Sequence, residues 1–200
     1  MNSMSIKTAA HILSVQGSVL KITSKAVALP AKPNDRVLNN EILLTSESDA
    51  RTTLSLTGGY RVELGGLTQL GLGPQRELQT DTHELSALDL VYGNVVMAYD
   101  DGAAICPNAI IVNTPVCSVY LWQAGAWIRV LRHGETYVEL MSGREGFVGR
   151  IEMESRAGTL ILKQELMGGR VDSVGGLPIP LNRFNQSHSS YFLERVPSDL

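Results

Sequence analysis

The chain has only two cysteines in 200 residues, Cys106 and Cys117, which is too few for a disulfide-dense scaffold and lacks the paired spacing of a zinc site. Both adjoin apolar strand-like segments, so two core thiols are the expectation and a reactive or disulfide-bonded pair the alternative. No sign of charge dominates. The 17 basic and 20 acidic residues are well mixed and leave a formal charge of −3, which gives no electrostatic footprint for nucleic acid or anionic lipid. Long hydrophobic runs are also missing: the most apolar region, Ala103 to Trp122, is broken by Pro107, Asn108, Asn113 and Pro115, so no transmembrane segment is expected. The N-terminus makes a poor secretion signal, because His11, Ser14 and Gln16 interrupt its apolar stretch within a few residues. Aromatic residues make up only 6%. Scarce tryptophans of this kind are usually spent on the core.

Residue patterns that carry chemistry are equally thin. His11, His83, His133 and His188 stand far apart with no metal-helix spacing, and His83-Glu84 with Asp81 reads as a solvated connection more readily than as a proton-transfer pair. Asp100-Asp101-Gly102 reads as a hairpin turn, since the further oxygen donors of a calcium loop do not follow. Gly71-Leu72-Gly73 runs into Pro74, which has no amide to offer a phosphate, and no nucleophile elbow occurs. The expectation is a protein that is not an enzyme and has no cofactor or metal.

What the sequence does have is alternation. Ser18 to Ile22, Thr52 to Leu56, Tyr60 to Leu64, Leu88 to Ala98, Trp127 to Leu131, Thr136 to Met141, Gly146 to Met153 and Thr159 to Leu162 are each of strand length and rich in Val, Leu, Ile, Thr and Tyr. Glycine turns separate them, among them Gly58-Gly59, Gly65-Gly66, Ala157-Gly158 and Gly168-Gly169. This rhythm predicts an all-β fold of stacked antiparallel sheets, a sandwich or β-roll. The expected core includes Val19, Leu54, Leu56, Val62, Leu64, Leu90, Val96, Ile111, Val130, Val138, Leu140 and Ile161. Arg76 to Leu88 is polar and reads as a connecting loop, with one helical turn conceivable at Ser86 to Leu90. After Gly176 the composition changes. Pro178 and Pro180 enforce extended backbone, which predicts an extended C-terminal arm. The division expected is an N-terminal segment, 1–16, a β-domain, 17–176, and the arm, 177–200.

From Gly17 to Gly149 the order of features resembles the FecR-like domain, a β-rich envelope-associated module. The resemblance is carried by the Gly-Ser-Val strand at Gly17 to Ile22, by Ile42 to Ala50 with its Leu-Leu-Thr start, and by Thr53-Leu54-Ser55-Leu56 leading to Gly58-Gly59. It continues through Tyr60 to Leu64, Leu70-Gly71-Leu72-Gly73-Pro74, Leu90-Val91-Tyr92-Gly93-Asn94-Val95 and Ile111-Val112-Asn113-Thr114-Pro115, and closes at Val138 to Arg144. Where family members carry an Arg-Gly-Thr step, Ser118 to Gly125 reads SVYLWQAG. The resemblance implies a non-enzymatic module at the periplasm or cell surface. The family's regulators add a sigma-factor-binding segment and a membrane helix that this sequence does not display, so the sigma-regulatory role is not part of the expectation.

The function expected is therefore a structural or assembly subunit working through protein contacts, with itself or with other subunits of an envelope or surface complex. A ligand- or carbohydrate-binding sensory module and a virion component are the alternatives. The arm is expected to pack on a neighbouring copy or a partner subunit instead of its own domain, and Phe184, Tyr191 and Phe192, with Pro178 and Pro180 holding it extended, are the candidate interface residues. Trp122 and Trp127, flanking the expected turn Gln123 to Ala126, are the candidate stacking platforms if a sugar is bound.

Overall fold

A computed structural model describes residues 8–56, 59–73, 76–77, 84–99, 109–141, 149–163 and 167–182. Every regular element among them is a strand. The first half of the chain contains β1 (Thr8–Gln16), β2 (Val19–Ile22), β3 (Ala28–Pro30), β4 (Arg36–Leu38), β5 (Ile42–Thr45), β6 (Arg51–Leu56), β7 (Tyr60–Leu64), β8 (Thr68–Leu72) and β9 (Arg76–Glu77). The second half contains β10 (Glu84–Tyr99), β11 (Ile110–Asn113), β12 (Ser118–Trp122), β13 (Gly125–Val130), β14 (Thr136–Met141), β15 (Arg150–Ser155), β16 (Gly158–Leu162), β17 (Met167–Val171) and β18 (Ile179–Asn182).

Pairing sorts these strands, apart from the two-residue β9 that pairs only with β10, into two sheets that share β10. One runs β4-β1-β6-β7-β10-β13-β14-β17-β18. The other runs β3-β2-β5-β8-β10-β11-β12-β15-β16. Beyond β10 the chain lays down hairpins on alternate sheets: β11/β12 on the second, β13/β14 on the first, β15/β16 on the second, β17/β18 on the first. All pairings are antiparallel except β10 with β11, which run parallel.

Period-two alternation decides which side chains fill the space between the sheets. In β6, Thr52, Leu54 and Leu56 are buried while Arg51, Thr53 and Ser55 are half-exposed, and β7 and β8 repeat the pattern. The two inner faces meet in one continuous core that includes Ile12, Leu43, Leu54, Val62, Leu70, Leu90, Ile128, Val138, Ile151 and Leu162. Ten of the twelve expected core positions are buried. Val96 and Ile161 are not: the inward positions beside them are Val95, Met97 and Leu162, and Ile161 is 42% exposed. A one-residue error in phase sends a strand residue to the opposite face.

β10 passes from the second sheet to the first. Leu88 to Tyr92 pairs with β8, while Gly93 to Met97 pairs with β13. The bend falls at Gly93, whose φ of +104° suits glycine and whose missing Cβ leaves room for Thr68 Oγ1 and Cα. A chain of hydrogen bonds pins it. The Asn94 amide donates to Thr68 Oγ1 at 3.0 Å, the Thr68 amide to Thr45 Oγ1 at 2.8 Å, and the Thr45 hydroxyl to the Gly65 carbonyl at 2.7 Å. Thr45 and Thr68 are wholly buried, so these bonds satisfy groups that water does not reach.

Three further expectations meet corrections. Glu84 to Leu88, read as loop or helical turn, is the start of β10, with β9 paired to Glu84 and Leu85. Thr8 to Gln16, read as a segment ahead of the domain, supplies a sheet strand paired with β4 and β6. In the arm, Ile179 to Asn182 pairs with the chain's own β17, and Pro180, which has no amide, lies opposite Gly169. Phe184, Tyr191 and Phe192 lie outside the described residues.

Candidate functional site

The two tryptophans stand on opposite faces of the stack. Gln123, with φ +49°, and Ala124 carry the chain from β12 in the second sheet to β13 in the first. Trp122 consequently lies on the outer face of the second sheet, in a small cluster with Ala109, Ile111 and Tyr120. Trp127 alternates with the core residues Ala126 and Ile128 and so points outward from the first sheet. The indoles do not form one stacking platform. Trp127 is only 7% exposed, and the Arg150 guanidinium covers Trp122 with its centre 5.2 Å from the ring.

The outer face of the second sheet is a polar surface with an aromatic centre. Cross-strand register sets Ile111 beside Tyr120, Tyr120 beside Glu152, and Glu152 beside Ile161. The Tyr120 hydroxyl donates to Glu154 Oε2 at 2.9 Å, Arg150 pairs with Glu152 at 3.5 Å, and Asn113 donates to Asp89 at 2.9 Å. Opposite charges and hydrogen-bonding partners alternate here, and such pairs on an exposed face add little stability.

The outer face of the first sheet carries the denser polar cluster. Glu135 accepts a 2.6 Å hydrogen bond from the Tyr137 hydroxyl and lies 3.0 Å from His133 Nε2, with Arg170 Nε at 4.0 Å. Arg170 in turn holds Asp172 at 2.6 Å. The Tyr137 hydrogen bond, followed by that of His133, lowers the Glu135 carboxyl below the usual range, and the same bond to Glu135 raises the Tyr137 phenol. Further along, Glu139 is directly opposite Trp127 and only 5% exposed although both point away from the core. Burial raises the Glu63 carboxyl against the opposing pull of Arg51 at 3.7 Å.

Between the sheets, Tyr60 is a large buried residue with a polar tip. Its hydroxyl donates to the Leu121 carbonyl at 3.4 Å and accepts from the Ala124 amide at 3.3 Å, and its ring meets Tyr99 edge-on with centroids 5.2 Å apart. Burial, only partly offset by the Ala124 hydrogen bond, pushes its phenol up to about 12. Cys117 is a buried free thiol, raised by burial and steadied by Thr114.

Sequence reading singled out Trp122 and Trp127 and missed the Glu135 cluster and Glu139. Glu135, just ahead of β14, and Tyr137 on it are two residues apart in sequence, but Arg170 joins them only through the pairing of β14 with β17, which no local pattern reveals. Among the described residues, no group of three His, Cys, Asp or Glu side chains is arranged to hold a metal ion, and no helix is long and apolar enough to cross a membrane. Pro178 is half-buried and Pro180 exposed at the end of the first sheet.

No family model and no curated protein matches the chain. The fold is similar to that of two crystal structures of a candidate anti-sigma factor from Parabacteroides distasonis ATCC 8503. The TM-score is 0.53 for both, at 15% and 14% identity, and the match spans 74% of this chain. It spans 63% and 62% of those two chains, less than two thirds of their length. At this identity the likeness establishes a shared fold, the two-layer all-β stack.

Proposed function

We propose that this chain is a non-enzymatic protein-interaction domain of the FecR-like kind, serving as a subunit of an assembly at the cell envelope. The observation that carries the reading is the likeness of its fold to chains named as candidate anti-sigma factors, a name that denotes action on another protein. The features from Gly17 to Gly149 that resemble the FecR-like domain point the same way. The disposition of polar groups supports it: ionisable side chains are spread over the two outer faces and paired with one another, as at Arg150 and Glu152 or Glu135 and Tyr137, an arrangement suited to broad contact.

In-cell cross-linking of the full chain, with a photoreactive residue at Thr159 or Arg129 on an outer face, tests the reading. Discrete adducts of defined mass are expected. Recovery of the uncross-linked chain alone, together with a thermal shift produced by a small sugar or metabolite, would replace it with a ligand-binding role.

A further inference from the structure

Among the described residues the two sheets end in β3, β16, β4 and β18, and three of these end strands are guarded against pairing with another chain. β3 is three residues long and ends at Pro30, β4 is three residues long and begins with Arg36, and β18 contains Pro180. Short length, charge and proline are the usual devices that keep an edge from templating another strand. β16 has none of them. Its sequence, GTLIL, is uncharged and free of proline, and among the described residues its pairing is with β15 alone.

The backbone of β16 is oriented for a further partner. Ser155 and Gly158 face each other across a two-residue turn, so they are the hydrogen-bonded pair that closes the hairpin. By alternation Gly158, Leu160 and Leu162 direct their amides and carbonyls toward β15, while Thr159 and Ile161 direct theirs to the open side. Apolar side chains gather at the same end of the stack: Ile161 is 42% exposed and Leu177 63%, and a Cβ on Gly158 would lie 3.1 Å from Leu177 Cδ2.

We propose that this edge is a homodimer interface, in which two copies pair β16 antiparallel about a two-fold axis at Ile161. The inference rests on the protein-contact reading above and names the partner as a second copy. Charge selects both the partner and the register. With the axis at Ile161, Lys163 of one copy stands opposite Thr159 of the other, and Glu154 lies on the next strand behind that threonine. The short threonine lets the lysine reach over it to the carboxylate, whose Oε2 accepts from Tyr120 and whose Oε1 has no hydrogen-bond partner among the described residues. The axis repeats this pair on its other side. An axis at Leu160 would instead set Lys163 against Ala157 in the turn, with no carboxylate behind it. The pairing is isologous and closed, so it stops at two chains.

Light scattering of the purified full chain over a range of concentrations tests the inference. Twice the monomer mass is expected. Ile161→Lys, which sets two like charges face to face at the axis, gives a folded monomer, because the side chain is already outside the core, and its thermal midpoint no longer rises with protein concentration as a dimer's does. Lys163→Glu weakens dimerisation at least tenfold, and Lys163→Glu combined with Glu154→Lys restores it; this pair of variants keeps the test decisive if Ile161→Lys fails to fold. A monomeric wild type, or a dimer that folded Ile161→Lys and Lys163→Glu both leave intact, overturns the proposal. Discrete cross-linked adducts from cells alongside a monomeric purified chain would overturn the homodimer and leave the protein-contact reading standing.

Discussion

The Tyr60 hydroxyl accepts the Ala124 amide at 3.3 Å, joining β7 to the turn at which the chain leaves one sheet for the other. Tyr60→Phe strands a buried amide, since Ala124 is 2% exposed, and the expected cost is about 1–3 kcal/mol in chemical denaturation.

The same residue gives a pH signature. The Tyr60 phenol sits at about 12 in the folded chain against an ordinary 10.0, so the folded state keeps its proton where the unfolded state has lost it. This contribution to stability is complete below pH 10 and disappears as pH rises toward 12, a loss on the order of 2–3 kcal/mol. Urea titrations across that window should show a steeper decline for wild type than for Tyr60→Phe. Equal slopes would mean that Tyr60 does not titrate with unfolding.

At the bend of β10, Gly93→Ala must place a Cβ against Thr68 while holding a positive φ, and the expected destabilisation is about 3 kcal/mol or more. Thr68→Val removes the acceptor of the Asn94 amide while keeping the side chain's shape, and should cost about 1–3 kcal/mol. Thermal unfolding compares them; a Gly93→Ala midpoint equal to wild type would show that the bend tolerates a side chain.

Cys117 should be unreactive in the folded chain. Its burial and raised thiol both suppress the thiolate that attacks disulfide reagents. In a Cys106→Ser background, reaction with a chromogenic disulfide is expected only after denaturant is added, and immediate stoichiometric labelling of native protein would contradict it.

The sequence made much of this stack legible because its strands bury one face and expose the other. Leu54, Val62 and Leu64 could be assigned inward from spacing alone. The reading failed where a strand's two faces look alike. Val95, Val96 and Met97 are all apolar, so period two gives no phase, and only the pairing with β13 decides that Val96 faces out. Trp122 and Trp127 were brought together by nearness in sequence, yet a turn that changes sheets sets them on opposite surfaces. The arm's prolines marked extended backbone correctly, but the partner of Ile179 to Asn182 is the glycine-containing β17, which advertises nothing in sequence.

The alternating hairpins of the second half divide the chain by the time its contacts take to form. From β11 to β18 most pairings join neighbours in sequence, whereas β1 must find β6, with Ala10 beside Leu56 and Gln16 beside Arg51. Local pairings close with a smaller entropy loss and form sooner. Substitutions in the β13/β14 hairpin such as Val138→Ala should therefore slow refolding, and substitutions in β1 such as Ile12→Val should mainly speed unfolding. With that outcome β1 would join last, as the closing stave of a stack already standing.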